Sequence, residues 1–143
     1  MTINEMVKEM HGIALSKGWW EKTPSIGESI ALMHSELSEA LEEARTNDTI
    51  SDTYYECKSD KINPMCCLGE YKEKHDYMIC VCKATTPTEC SLAKPCGIPS
   101  ELADCVIRIM DFCGKHGIDL EKAIIEKANF TKHRPYKHGG KKF

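Results

Sequence analysis

At 143 residues, with 41% hydrophobic and 29% charged side chains, the chain has the size of one domain and the balance of a globular protein rather than a disordered or fibrous one. Its longest apolar run, residues 77–82, is far too short to span a bilayer, and Glu5 and Glu9 stand where a secretory signal would carry its apolar segment, so a cytoplasmic protein without a membrane partner is expected. The net charge of −3 is unevenly spread: residues 127–143 hold six Lys or Arg and no acid, whereas residues 1–126 hold thirteen bases against twenty-two acids. A basic tail on an acidic body suits a small anionic ligand and disfavours a nucleic acid, which the body would repel. A solvated terminal tail is the simpler reading of the same charges.

In chain order, residues 2–17 read as the first helix. Thr2 and Glu5 form a capping box, and Ile3, Met6, Val7, Met10, Ile13 and Ala14 recur at helical spacing until Gly18 interrupts. Trp19 and Trp20 follow. After Pro24, a second capping box of Ser25 and Glu28 opens a long helix to about Arg45, with Ile26, Ile30, Met33, Leu37, Ala40, Leu41 and Ala44 on one side. From 49 to 97 helical periodicity vanishes, Cys, Tyr and Pro accumulate, and DYMICVC at 76–82 alternates enough to predict a short strand, one arm of a hairpin. A structureless connection of that length would be unusual, so the stretch reads as an inserted subdomain or a long ordered loop. Helical spacing resumes at Pro99, a good first-turn residue, and runs to the glycines at 114 and 117; a fourth helix over 119–129 precedes the basic tail. The expectation is an all-α fold: an antiparallel bundle of about four main helices built by 1–48 and 98–143, with a Cys-rich irregular or β-hairpin insert at 49–97.

Two helices share a charge design. At about 100° per residue, Glu36, Glu39 and Glu43 fall on one stripe, about 80–100° to one side of the apolar centre of the second helix. Glu101 and Asp104 take the same angle, on the same side, relative to Leu102, Val106, Ile109 and Cys113 on the third. If the two apolar faces pack together, Glu36, Glu39, Glu101 and Asp104 converge at the rim of the core, where they repel one another unless a cation sits between them. Hard oxygen ligands select Mg²⁺, with Mn²⁺ as the alternative, and Mg²⁺ held by a few carboxylates keeps positions open for phosphate oxygens. The competing reading of each pair is a solvated helix flank, the commonest fate of helical glutamates.

Seven of the nine cysteines, Cys57, Cys66, Cys67, Cys80, Cys82, Cys90 and Cys96, crowd into the insert. With no secretion signal, a disulfide framework is disfavoured. Cys80-x-Cys82 and the adjacent Cys66 and Cys67 are close enough to begin a zinc site, with Cys57, Cys90, Cys96 and His75 as further ligands; buried idle thiols and a redox switch remain alternatives.

The strings KGWW, HSELSEALEEAR, GIPSELADCVIRIMD and EKANFTKHRPYKHGGKKF resemble the MazG-like family of all-α nucleoside triphosphate pyrophosphohydrolases over roughly residues 1–48 and 94–143. The resemblance implies a homodimeric or homotetrameric helical bundle that cleaves a nucleoside triphosphate between the α and β phosphates. Glu36, Glu39, Glu101 and Asp104 then correspond to Mg²⁺ ligands, and Lys127 and Arg134 to phosphate-holding positions. Trp19 or Trp20 would stack on the base or close the bundle; Lys132, Lys137 and His138 are weaker substrate candidates, more simply read as solvated. Three features depart from the family. Ser35 stands where relatives often carry another Glu, Thr131 stands where they often carry Asn, and sixty-one residues separate Glu39 from Glu101. A second reading keeps the helical scaffold but makes it a non-catalytic nucleotide-binding or protein-interaction module with a zinc-clipped insert.

Overall fold

The computed structural model describes residues 1–46, 49–57, 70–74, 77–81 and 93–136, with the side chains at 57, 70–74, 77–81 and 93 outside the description. The described chain is mostly helical. Helix α1 (Ile3–Ser16) begins with the expected capping box: the Glu5 amide donates to Thr2 Oγ1 at 3.1 Å and the Thr2 amide to Glu5 Oε2 at 2.7 Å. Helix α2 (Ile26–Thr46) repeats the device, with Glu28 N donating to Ser25 Oγ at 3.2 Å and Ser25 N to Glu28 Oε2 at 2.7 Å. Each box satisfies amide donors that the first helical turn leaves without carbonyl partners, a contribution of about 1 kcal/mol per cap. Helix α3 (Ile98–His116) and helix α4 (Leu120–Lys132) follow, α4 capped by Asp119, which accepts from Lys122 N at 3.0 Å. Helix α4 runs three residues beyond the Asn129 end expected from spacing, since Phe130, Thr131 and Lys132 all tolerate helix and the breaking residue is Pro135.

The insert is more ordered than its composition suggests. Among its described residues, strands β1 (Tyr54–Cys57), β2 (Glu70–Lys74), β3 (Tyr77–Val81) and β4 (Ala93–Cys96) form an antiparallel sheet in the order β2-β3-β1-β4. The strand read in DYMICVC is β3, and β2 is its hairpin partner, paired from Glu70↔Val81 to Lys74↔Tyr77. The other two strands add to that hairpin. Strand β4 lies at the sheet edge and pairs with β1 from Tyr54↔Cys96 to Cys57↔Ala93, which is where a strand containing Pro95 can be accommodated.

The chain divides into two compact units, Met1–Ser29 with Ile107–Phe143, and Ile30–Val106, so the division passes through α2 and α3. In the first unit the core is Val7, Met110 and Cys113, with Ile3, Met6, Met10, Ile109 and Leu120 against it. Asn4 ties the starts of two helices together: its side-chain amide donates to Asp119 Oδ1 at 2.8 Å and its backbone amide to Glu121 Oε2 at 3.2 Å. A polar knot lies beside that core. Asp111 is 9% exposed and accepts from His11 Nδ1 at 2.7 Å and from Trp20 Nε1 at 2.9 Å, and a carboxylate acceptor places the proton on His11 Nδ1. Burial of an aspartate is tolerable here because both neighbours donate to it.

The second unit buries small and polar side chains: Ala40, Cys96, Cys105, Glu36 and Glu101. Among its described residues Leu37, Leu41, Leu102 and Val106 stay open, between 45% and 53% exposed. No helix among the described residues is long and apolar enough to cross a membrane.

Candidate metal centre

Glu36 and Glu39 stand one helical turn apart on α2, and Glu101 lies in the first turn of α3. All three belong to the second unit, and one carboxylate oxygen from each lies within 4.8 Å of the others. Glu36 and Glu101 are 5% and 4% exposed, whereas Glu39 faces solvent. Asp104 falls outside that three-membered set but stands beside it, half-buried and close enough to add to the charge repulsion on Glu101. Two pairs written sixty-one residues apart are thus brought to one place, three of the four in ligand range.

Glu101 carries the sharpest signal. Its Oε2 is buried with no hydrogen-bond partner, and its Oε1 lies 3.9 Å from Lys94 Nζ, an ion-pair distance longer than a hydrogen bond. Burial is the main reason its pKa lies above the usual glutamate value; Lys94 pulls the other way, and Glu39, Asp104 and Glu36 push it further up. A buried carboxylate oxygen with nothing donating to it is costly, and three hard oxygen donors around one point fit a small divalent cation such as Mg²⁺. The residues present therefore suit the ion that the spacing pointed to.

The insert braces the site from two sides. The Tyr54 hydroxyl on β1 hydrogen-bonds Glu43 of α2, 3.1 Å from each carboxylate oxygen, so the third glutamate of the stripe engages the sheet. Ser100 Oγ of α3 donates to Pro95 O of β4 at 2.9 Å, and Gly97 passes the chain directly from β4 into α3. Neither Tyr54 nor Lys94 was legible as a site residue. Lys94 is seven positions before Glu101 in no regular spacing, and only the strand-to-helix turn at Gly97 brings the two together.

Ser35 hydrogen-bonds back to Leu32 O at 2.7 Å. The remaining substrate candidates lie in the first unit. Lys127 Nζ and the Arg134 guanidinium both lie over the Phe130 ring, 5.7 and 5.8 Å from its centroid, so one exposed face around α4 gathers two cations on an aromatic. Lys132 is exposed, with Nζ 3.5 Å from Asn129 Oδ1. Trp20 donates its indole N–H to Asp111 and has Lys115 Nζ over its ring at 5.0 Å, which ties it to the helix core; Trp19 is 57% exposed. Of the zinc candidates, Cys96 is buried and donates its thiol to Lys94 O at 3.6 Å. Cys57 and Cys80 have only their backbones described, and Cys66, Cys67, Cys82, Cys90 and His75 lie outside the described residues, as do Lys137 and His138.

Comparison with protein-family models, curated proteins and solved structures finds no match to the chain.

Proposed function

We propose that the protein is a Mg²⁺-dependent nucleoside triphosphate pyrophosphohydrolase, converting its substrate to the nucleoside monophosphate and pyrophosphate. The observation that carries this reading is the meeting of Glu36, Glu39 and Glu101 with the unpartnered Oε2 of buried Glu101. The resemblance of the flanking strings to the MazG-like family supplies the reaction, and the donor chemistry agrees with it.

In this reading Glu36, Glu39 and Glu101 hold Mg²⁺, with Mn²⁺ able to replace it, and Asp104 completes the set or raises its negative potential. A bound ion would polarise phosphoryl oxygens and lower the pKa of a water. Ser35 offers no carboxylate to take a proton from an attacking water. The family resemblance assigns phosphate binding to Lys127 and Arg134, and an Arg can hold a phosphate as a planar fork. Trp19, with its ring exposed, is the better base-stacking candidate of the two tryptophans.

The working protein is a homodimer or homotetramer. Exposed Leu37 and Leu41 on α2 and Leu102 and Val106 on α3 support this, because a second copy would cover side chains that one chain leaves half in water. The test is a screen of nucleoside triphosphates with Mg²⁺ and pyrophosphate as readout. Pyrophosphate release that drops at least about hundredfold in Glu39→Ala and Asp104→Ala is expected; orthophosphate as the only product, or turnover unchanged in both variants, would overturn the assignment.

A further inference from the structure

The carboxylates have a basic neighbour that the helical parts of the chain do not supply. Among the described side chains of the second unit the Lys and Arg residues are Arg45, which is paired with Glu42 one turn away on the exposed side of α2, and Lys94. Lys94 belongs to β4 and is held there by the register Glu56↔Lys94 against β1. Its side chain is 35% exposed, so it borders the acids on one side and solvent on the other. Burial works against its charge. The carboxylates around it, Glu101 foremost and then Asp104 and Glu39, outweigh that and keep it protonated.

We infer that Lys94 is a substrate-binding residue of the carboxylate site, delivered by the insert to grip the phosphate chain of the nucleotide. The inference rests on the pyrophosphohydrolase reading and extends it to the last strand of the insert. At 3.9 Å the contact with Glu101 is electrostatic rather than a formed hydrogen bond, so little is lost when the ammonium moves. A divalent cation held by Glu36, Glu39 and Glu101 would offset most of their negative charge and so loosen their hold on the lysine. The phosphate oxygens of a bound nucleotide would then compete for the ammonium, which has three donors on a flexible stem and can turn to them without moving its strand. In the absence of metal the same lysine tempers the repulsion among the acids. The sheet is in this view part of the site: β1 holds α2 through Tyr54 and Glu43, and β4 presents the lysine.

The test uses the full chain, Mn²⁺ as a paramagnetic reporter and a nucleoside triphosphate with a non-cleavable α–β methylene bridge. Wild type, Lys94→Met and Lys94→Arg are compared. Lys94→Met is expected to bind Mn²⁺ at least as tightly as wild type, having lost a competing cation, and to bind the Mn²⁺-loaded nucleotide analogue about tenfold to hundredfold more weakly, with Lys94→Arg close to wild type. Inorganic triphosphate run in parallel should show the same loss, which assigns the contact to the phosphate chain rather than to base or sugar. Unchanged analogue affinity in Lys94→Met, with wild type binding both Mn²⁺ and analogue, overturns the role of Lys94 alone. Loss of Mn²⁺ together with nucleotide makes Lys94 a strut for Glu101 and also overturns it. Failure of wild type to bind Mn²⁺ removes the underlying reading and the inference with it.

Discussion

Glu101 shows how a single side chain can be placed against the stability of its own fold. Its raised pKa means that the folded protein keeps a proton which the unfolded chain has already released. Between the ordinary glutamate value and the raised one, each rise in pH therefore removes stability, and above both values the whole deficit is present. Glu101→Gln deletes that titration while keeping the shape. In metal-free buffer the variant is expected to melt above wild type at about pH 8, and the gap should close as pH falls toward the ordinary glutamate range. Glu28 and Asp119 shift the opposite way, held low chiefly by hydrogen bonds from Ser25 and Asn4, but they titrate alike in both proteins and cancel in the comparison. Added Mg²⁺ should raise the melting temperature of wild type and leave the variant unmoved. A wild type that out-melts Glu101→Gln across the whole range in chelator would contradict the placement.

At the scale of elements, two glycines set how closely the pieces approach. A Cβ on Gly114 of α3 would lie 2.5 Å from His11 Cβ and 3.3 Å from Val7 O, so α1 would have to move. Gly114→Ala is expected to lower the unfolding free energy by about 1–3 kcal/mol, read from the denaturant midpoint, without touching metal affinity, because the carboxylates belong to the other unit. Gly97 has φ +100°, and a Cβ there would meet Asp52 O at 2.6 Å. Its carbonyl accepts from Ser100 N and Glu101 N, so the first turn of α3 hangs from it. Gly97→Ala should therefore weaken Mn²⁺ binding as well as stability; metal affinity equal to wild type would show that the turn does not position Glu101.

The same elements show what the sequence could reveal. Capping boxes and apolar spacing are local signals, and α1 and α2 begin where Thr2 and Ser25 place them. The two carboxylate pairs were legible because i, i+3 spacing fixes their phase on a helix. Strands β1 and β4 were not, since four-residue strands carry little pattern and their pairing joins Tyr54 to Cys96, far along the chain. Lys94 and Tyr54 were illegible for the same reason, their meaning residing in that register. Glu43 was open between solvent and site until Tyr54 engaged it.

At the scale of the whole molecule, charge and hydrophobicity are both incompletely satisfied by one chain. Among the described residues no large side chain is fully buried, while Leu41 is 53% exposed and Leu102 46%. Sedimentation at micromolar concentration is expected to find a dimer or tetramer, and Leu41→Lys to shift it toward monomer; a wild type that stays monomeric at every concentration would contradict that assembly. The reaction and the grip of Lys94 both depend on one thing, that the converged acids hold a divalent cation. Titration of the protein with Mn²⁺, followed by loss of the free-ion paramagnetic signal, tests it most directly. Saturable binding that Mg²⁺ competes away, and that Glu36→Gln or Glu101→Gln abolishes, is the expected result; no saturable binding, or binding that survives both substitutions, would contradict it.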